Sequence, residues 1–392
     1  MALVITGLER LRADGWRSLR GQRVGLVVHP ASVDGELHHA RDLFAHARPQ
    51  VDLRALFGPQ HGILGQTQDN MIEWRGFTDP GLGIPVHSLY GEHRKPTPEM
   101  LEGLDTLVVD LQDVGARYYT FVWTLLLCLE ACAEQGKRVV VLDRPNPLGG
   151  LAVEGNVLDP EYRSFVGLAP VPMRHGLTIG ELASFCRAWR GLDVELEVVA
   201  MDGWRRAMDF EATGLPWVLP SPNMPTVDTA FVYPGGCLLE GTNLSEGRGT
   251  TRPFEILGAP WVDGRELAAQ MRAWNLPGCR LRPLSFEPTF HKFAGQVCGG
   301  VQVHVTDRAL FEPVTTYTAA IAAVAGLYPG RFAWKQPPYE YEARKLPIDI
   351  LAGGPRWRED VEAGRSPWRM KAGWLEELRA FADIAAAHRR YD

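Results

Sequence analysis

Residues 240–250 read Glu-Gly-Thr-Asn-Leu-Ser-Glu-Gly-Arg-Gly-Thr, the densest stretch of reactive side chains in the chain. Two carboxylates, Glu240 and Glu246, stand with Asn243 and Arg248 among glycines. Neither helical nor strand periodicity explains that mixture. Glycine lets a backbone come close to a ligand. A pair of carboxyl groups is the minimum equipment for glycoside hydrolysis, one giving a proton and the other acting as base or nucleophile. A solvated loop with a local Glu246–Arg248 pair would carry the same residues. A second group is Asp110, Gln112, Asp113, Arg117 and Tyr118. An Asp at a strand end can hold a sugar hydroxyl or move a proton, and an Arg can grip a carboxylate with two parallel N–H bonds. These residues also have plain structural uses. Asp113 is a good helix cap, and Arg117 is spaced to pair with it one turn away.

Smaller polar groups follow other apolar runs: Gln60 and His61 in FGPQHG, Arg144 and Asn146 in DRPNP, and Asn223 in PSPNMP. Glu92, in SLYGEHRKP, is a further acid in a distinctive setting, as are Glu73, Glu154 and Asp349. Trp74, Tyr90, Tyr118, Tyr119, Trp123 and Trp217 could offer flat faces to a sugar ring, although burial is the default for aromatic residues.

The elements that must hold these groups are legible in the first half. Residues 23–29 (RVGLVVH), 51–58 (VDLRALFG), 104–110 (LDTLVVD) and 138–143 (RVVVLD) are apolar on both faces, as central parallel strands are. A helical pattern over 120–135 stops at Gly136, which makes a βαβ unit. Thr178 and Glu181 form a capping-box pattern that opens a helix leading to the strand-like 194–200. In an open α/β sheet, ligands bind beyond the carboxyl ends of the strands, and the polar groups above follow those ends. The texture changes around 219–233. Later, 301–305 reads as a strand, and 315–326 and 373–388 read as helices, with Pro-rich loops such as QPPYEYEARKLP between them. The expected fold is α/β: a Rossmann-like domain over 1–225 and a smaller α+β domain over 226–392.

Composition narrows the chemistry. Against 41 Lys and Arg stand 47 Asp and Glu, a net charge of −6, which disfavours a broad nucleic-acid surface. The sequence lacks GxxxxGK(S/T), a GxGxxG between strand and helix, GxSxG and HExxH, so nucleotide binding, α/β-hydrolase and zincin chemistry are disfavoured. Six Cys occur without a CxxC pair, and no metal site is expected. The longest apolar run, 121–129, is far short of the ~20 residues of a membrane helix. The N-terminus, MALVITGLERLRADG, lacks the features of a signal peptide, so the expected location is the cytoplasm.

Seven motifs occur in order: SLYGEHRKPTPEML, VVDLQDVGARYYT, VLDRPNPLGG, VEGN, RHGLTIGELA, PSPNMPT and LLEGTNLSEGRGTTRPFE. Together they resemble the NamZ-type exo-β-N-acetylmuramidases, a family long carried as a bacterial domain of unknown function. The likeness runs from HPAS at 29–32 to PIDIL at 347–351. It implies a nucleotide-free Rossmann-like domain, a smaller C-terminal domain and a cleft between them. It also implies hydrolysis of terminal, non-reducing β-linked N-acetylmuramic acid from peptidoglycan fragments, without a cofactor. The ligand would be a muropeptide or muramic-acid disaccharide, not a nucleic acid or a membrane.

On this reading Glu246 and Glu240 are the main carboxylates, with Asp110 and Glu92 as further catalytic candidates. Gln60, His61, Gln112, Asp113, Arg117, Tyr118, Arg144, Asn146, Asn223, Asn243 and Arg248 are the candidate sugar contacts. The lactyl carboxylate of muramic acid would suit Arg117, Arg144 or Arg248. The chain departs from the family in two places. The loop commonly read as PEHG is here Pro59-Gln60-His61-Gly62, and His29 stands where Asn is commoner. Gln does not exchange protons as Glu does, so Glu92 and Glu73 are the nearby acids that could replace it. The alternative is a catalytically silent or differently specific sugar-binding protein on the same scaffold.

Overall fold

The computed structural model describes residues 4–68 and 71–392. Its first half is built on β1 (Arg23–Val28), β2 (Asp52–Gly58), β3 (Phe77–Thr78), β4 (Pro85–Ser88), β5 (Thr106–Asp110) and β6 (Arg138–Leu142). A hairpin of β7 (Glu154–Val157) and β8 (Pro172–Arg174) follows, and then β9 (Leu196–Val199). The main sheet has the order β3-β4-β2-β1-β5-β6-β9. All its pairings are parallel except that of β3 with β4. Every residue of β5 is buried, and in β1 and β6 only the opening arginine is not. Helices on both faces therefore cover the sheet, as its Val- and Leu-rich strands require.

The helix Phe121–Glu134 connects β5 to β6, and Gly136 beyond it takes a left-handed φ of 60°. Thr178 caps Ile179–Arg190 in a reciprocal box: its hydroxyl accepts from the Glu181 N–H at 3.2 Å, and its own N–H donates to Glu181 Oε2 at 3.0 Å. Two strands of the main sheet were not visible in the sequence pattern. β3 has two exposed residues, and β4 (PVHS) is short and begins with Pro, so neither shows a hydrophobic period.

The second half holds β10 (Ile256–Ala259), β11 (Cys279–Phe286) and β12 (Cys298–Val305) as an antiparallel sheet in the order β10-β12-β11. The helices Gly264–Arg272 and Pro313–Leu327 belong to this half. Thr226 caps the helix Val227–Gly236.

The halves share one apolar core, which runs from Val27, Phe57 and Val109 to Leu257, Val301 and Ile350. The helix Leu375–Ala386 returns to the first half, where Phe381 packs on Phe185 with ring centroids 5.8 Å apart. Next to it Tyr391 donates its hydroxyl to Asp143 at 2.5 Å. Arg117 donates to the carbonyls of Asn156 and Val171 in the first half and of Leu351 in the second, each at 2.8 Å. Glu154 crosses the same boundary: its carboxylate accepts the N–H groups of Val314 and Thr315 at 3.1 and 2.7 Å, capping Pro313–Leu327 at its positive end. Among the described residues, no helix is long and apolar enough to cross a membrane.

Candidate active site

The strand-end crevice between β1 and β5 is occupied by the chain's own groups. Arg144 grips both oxygens of Asp110 at 2.5 and 2.8 Å, and also donates to the Val33 carbonyl at 2.9 Å. Both partners of this pair are buried. His29 Nε2 accepts the Gln112 N–H at 2.9 Å, and its Nδ1 lies 3.1 Å from the Pro220 carbonyl. Burial pushes the imidazole down to about 3. A neutral ring protonated on Nδ1 satisfies both contacts. Gln112 spends its amide on the carbonyls of Asp113 and Pro145 at 2.7 and 2.9 Å.

These contacts correct several expectations. Asp110, Gln112 and Arg144 hold strand ends together and do not line the cleft described below. Asp113 accepts from the Gly115 N–H at 2.7 Å and lies 3.2 Å from His175, so it shapes a turn and does not cap the helix at 121. Arg117 does not pair with Asp113. It is buried against backbone carbonyls, and burial lowers it to about 10. Asn146 donates to the Leu177 carbonyl at 2.9 Å and accepts from the Leu148 N–H at 3.0 Å. Asn243 donates to the Arg331 carbonyl at 2.8 Å and accepts from the Ala333 N–H at 3.0 Å. Glu92 is 89% exposed beside His93, outside the cleft.

A polar cleft of about 470 Å³ opens instead where the two halves meet. The first half supplies Gln60, His61, Tyr118–Thr120 and Asn223, and the second supplies Tyr233, Glu240, Arg248, Tyr339 and Glu340. Tyr233 stands edge-on to Tyr118, Tyr119 and Phe254, making an aromatic wall. The Tyr118 hydroxyl is spent on the Pro234 carbonyl at 2.9 Å, so only its ring faces a ligand. His61 has a left-handed φ of 68°, and its Nδ1 lies 2.8 Å from the Thr67 carbonyl. The other expected aromatic platforms, Trp74, Trp123 and Trp217, do not line this cleft.

Arg248 is the positive centre of the cleft. Its Nη2 lies 3.0 Å from Glu240, its Nη1 lies 3.6 Å from Glu246, and its guanidinium sits 5.0 Å from the Phe254 ring centre. Its Nε and Nη1 have no hydrogen-bond partner in the protein. Such a buried group is made to receive an acceptor. Glu240 also accepts the Tyr339 hydroxyl at 2.8 Å.

Glu246 is completely buried and does not line the cleft. Burial pushes its carboxyl up. Lys292 at 3.0 Å, His291 at 3.0 Å and Arg248 outweigh that and hold it well below the usual carboxylate range. A carboxylate fixed as an anion gives no proton, so Glu246 serves as a counter-charge under Arg248 and not as an acid. The glycines explain the motif locally. Gly247 and Gly249 take φ values of 78° and 79°, and a Cβ on Gly249 would stand 2.6 Å from the Phe290 carbonyl oxygen. Arg248 is presented between two residues that only glycine fills easily.

Glu340 is the residue that sequence reasoning missed. It is 4% exposed, accepts the Tyr90 hydroxyl at 3.0 Å, and meets the Gln60 amide at 3.4 Å. Thr120 fixes Gln60 by donating to its Oε1 at 2.7 Å, which turns Nε2 toward Glu340. Burial pushes the Glu340 carboxyl up to about 7, with the negative charge of Glu240 adding to it and the Tyr90 hydrogen bond opposing it. Its backbone is unusual. Tyr339 and Glu342 exchange N–H···O bonds at 2.8 and 2.9 Å, while Glu340 and Tyr341 between them have φ values of 44° and 67°. That is the two-residue hairpin turn for which Asn-Gly is the usual choice. The sequence signal was an acid and two aromatics, YEY, in a Pro-rich loop.

Among the described residues, no group of three or more His, Cys, Asp or Glu could hold a metal ion.

Comparison with known proteins accounts for both halves. Two family models match: the N-terminal region of exo-beta-N-acetylmuramidase NamZ over residues 24–228, and the C-terminal region over 231–391. The chain is 46% identical over 379 residues to the peptidoglycan beta-N-acetylmuramidase NamZ of Bacillus subtilis (strain 168), covering 97% of this chain and 89% of the relative. Two crystal structures of DUF1343 family proteins from Bacteroides fragilis NCTC 9343 are similar throughout. One has a TM-score of 0.89 at 36% identity, covering all of both chains. The other has a TM-score of 0.78 at 28% identity, covering 100% of this chain and 99% of that one. The matches cover both halves of the chain, and the chain belongs to the exo-beta-N-acetylmuramidase NamZ family.

Proposed function

We propose that this protein is an exo-acting glycosidase that releases terminal, non-reducing β-linked N-acetylmuramic acid from peptidoglycan fragments. Membership of the family and the 46% identity to a peptidoglycan beta-N-acetylmuramidase support the reaction. The observation that carries the reading at the site is Arg248, a guanidinium that lines the cleft beside Glu240 and Glu340. Of the three arginines that could meet a lactyl carboxylate, Arg117 and Arg144 are consumed by carbonyls and by Asp110. Arg248 receives the sugar's carboxylate. The aromatic wall supports the sugar face, with Gln60, His61 and Asn223 around it.

Gln60 favours a second reading, in which the scaffold binds muramic sugars without cleaving them. Two carboxyl groups nevertheless remain in the cleft, which favours turnover. The test is incubation with a muramic-acid–glucosamine disaccharide, a chromogenic muramide and the matching glucosaminide, which lacks the lactyl group. Muramic acid release with at least tenfold preference over the glucosaminide is expected. Calorimetric binding without release would establish the silent binder, and neither binding nor release would end both readings.

A further inference from the structure

Hydrolysis of a sugar–sugar bond needs an acid, because a sugar alkoxide is a poor leaving group. Among the described residues, the carboxyl groups lining the cleft are Glu240 and Glu340. They differ in their partners. Glu240 faces Arg248 at 3.0 Å. Glu340 meets the Tyr90 hydroxyl and the Gln60 amide, which are neutral donors, and feels Glu240 as a like charge. Arg248 acts on it more weakly, and the neighbouring Tyr339 is a neutral phenol bonded to Glu240. A buried carboxyl with neutral partners beside a second carboxylate keeps its proton near neutral pH. Two environments that separate the protonation of two carboxyl groups are what divides acid from base in a glycosidase.

We propose that Glu340 is the proton donor of the reaction, held toward the cleft by Tyr90 and by Gln60, which act as positioning residues. This deepens the glycosidase reading and rests on it. The bond between the anomeric carbon and the bridging oxygen breaks, and its electron pair goes to that oxygen, which takes the Glu340 proton. Water supplies the hydroxyl that ends on the anomeric carbon, and its remaining proton restores the Glu340 carboxyl. Gln60, which does not exchange protons, has no part in this transfer beyond orienting Glu340.

The experiment compares wild type and Glu340→Gln on the natural disaccharide and on a dinitrophenyl muramide, whose leaving group departs without protonation. On the disaccharide the variant should lose about 10²–10⁴-fold in kcat. On the dinitrophenyl substrate it should lose under about tenfold, and the alkaline limb near pH 7 that the wild type shows in kcat/KM on the disaccharide should vanish in the variant. Equal losses on both substrates, or an alkaline limb that survives, would overturn the proposal. A wild type that cleaves neither substrate would fail the glycosidase reading instead. Should Glu340→Gln not fold, Tyr90→Phe is the second arm. Removing a donor to the ionised carboxylate raises its pKa, so the alkaline limb should move to higher pH. A limb that stays in place would also overturn the assignment.

Discussion

Glu246 and Glu340 are both buried carboxyls, and their surroundings set them in opposite states. Lys292, His291 and Arg248 force Glu246 to be an anion, whereas neutral donors and a nearby carboxylate leave Glu340 protonated to about pH 7. This has a consequence for stability. The Glu340 value is raised from 4.5 to about 7, so its contribution is fully present below about pH 4.5 and is lost as pH rises through 7. Glu246 behaves in the reverse sense, stabilising above about 4.5 and losing its contribution as pH falls. Glu340→Gln should therefore gain on the wild type by on the order of 3 kcal/mol between pH 5 and pH 8. Urea unfolding at the two pH values measures this, and a constant difference would contradict it. The sequence displayed Glu246 and concealed Glu340. Glu246 lies in a glycine-flanked string that no periodic element explains. Glu340 acquires its character only when Gln60 and Tyr90 arrive from the other half, 280 and 250 residues away.

At the scale of elements, the central parallel strands β1, β2, β5 and β6 were legible because a strand covered on both faces must be apolar throughout. The ends of those strands misled for a related reason. Asp110, Gln112, Arg117 and Arg144 look like ligand groups, but a buried strand end must satisfy its own polar atoms, and these side chains are consumed in doing so. The loop carrying Arg248 differs because its backbone is pinned by glycines and its side chain retains spare donors. Gly249→Ala tests the pinning. The added Cβ would meet the Phe290 backbone at 2.6–2.7 Å with φ at +79°, so stability should fall by about 1–3 kcal/mol. Activity should fall further than melting predicts, because Arg248 shifts. Steady-state kinetics beside thermal melts of the same variant would show it, and a fully active Gly249→Ala protein would refute the role given to this loop.

At the scale of the molecule, the cleft is a seam whose two sides are fastened at several points. Arg117 reaches the Leu351 carbonyl, Glu154 caps the helix of the other half, and Tyr118 bonds the Pro234 carbonyl. Calorimetry should therefore record one cooperative transition for the whole chain. Arg117→Met, which removes three hydrogen bonds, two of them fully buried, should lower stability by about 3 kcal/mol without splitting the transition. Two separated transitions in the wild type would show that the halves are independent.

The return of the C-terminal segment has a consequence for how the protein is made. Phe381 completes the packing around Phe185, Tyr391 bonds Asp143, and the Arg390 N–H donates to Glu181 at 2.8 Å. All three partners belong to the half that leaves the ribosome first. A nascent chain grows vectorially, and domains generally fold as they emerge. Here the first half emerges before the last partners of Phe185, Asp143 and Glu181 have been translated. Its packing is completed only once synthesis has passed residue 391, so the last residues translated finish the half that was translated first.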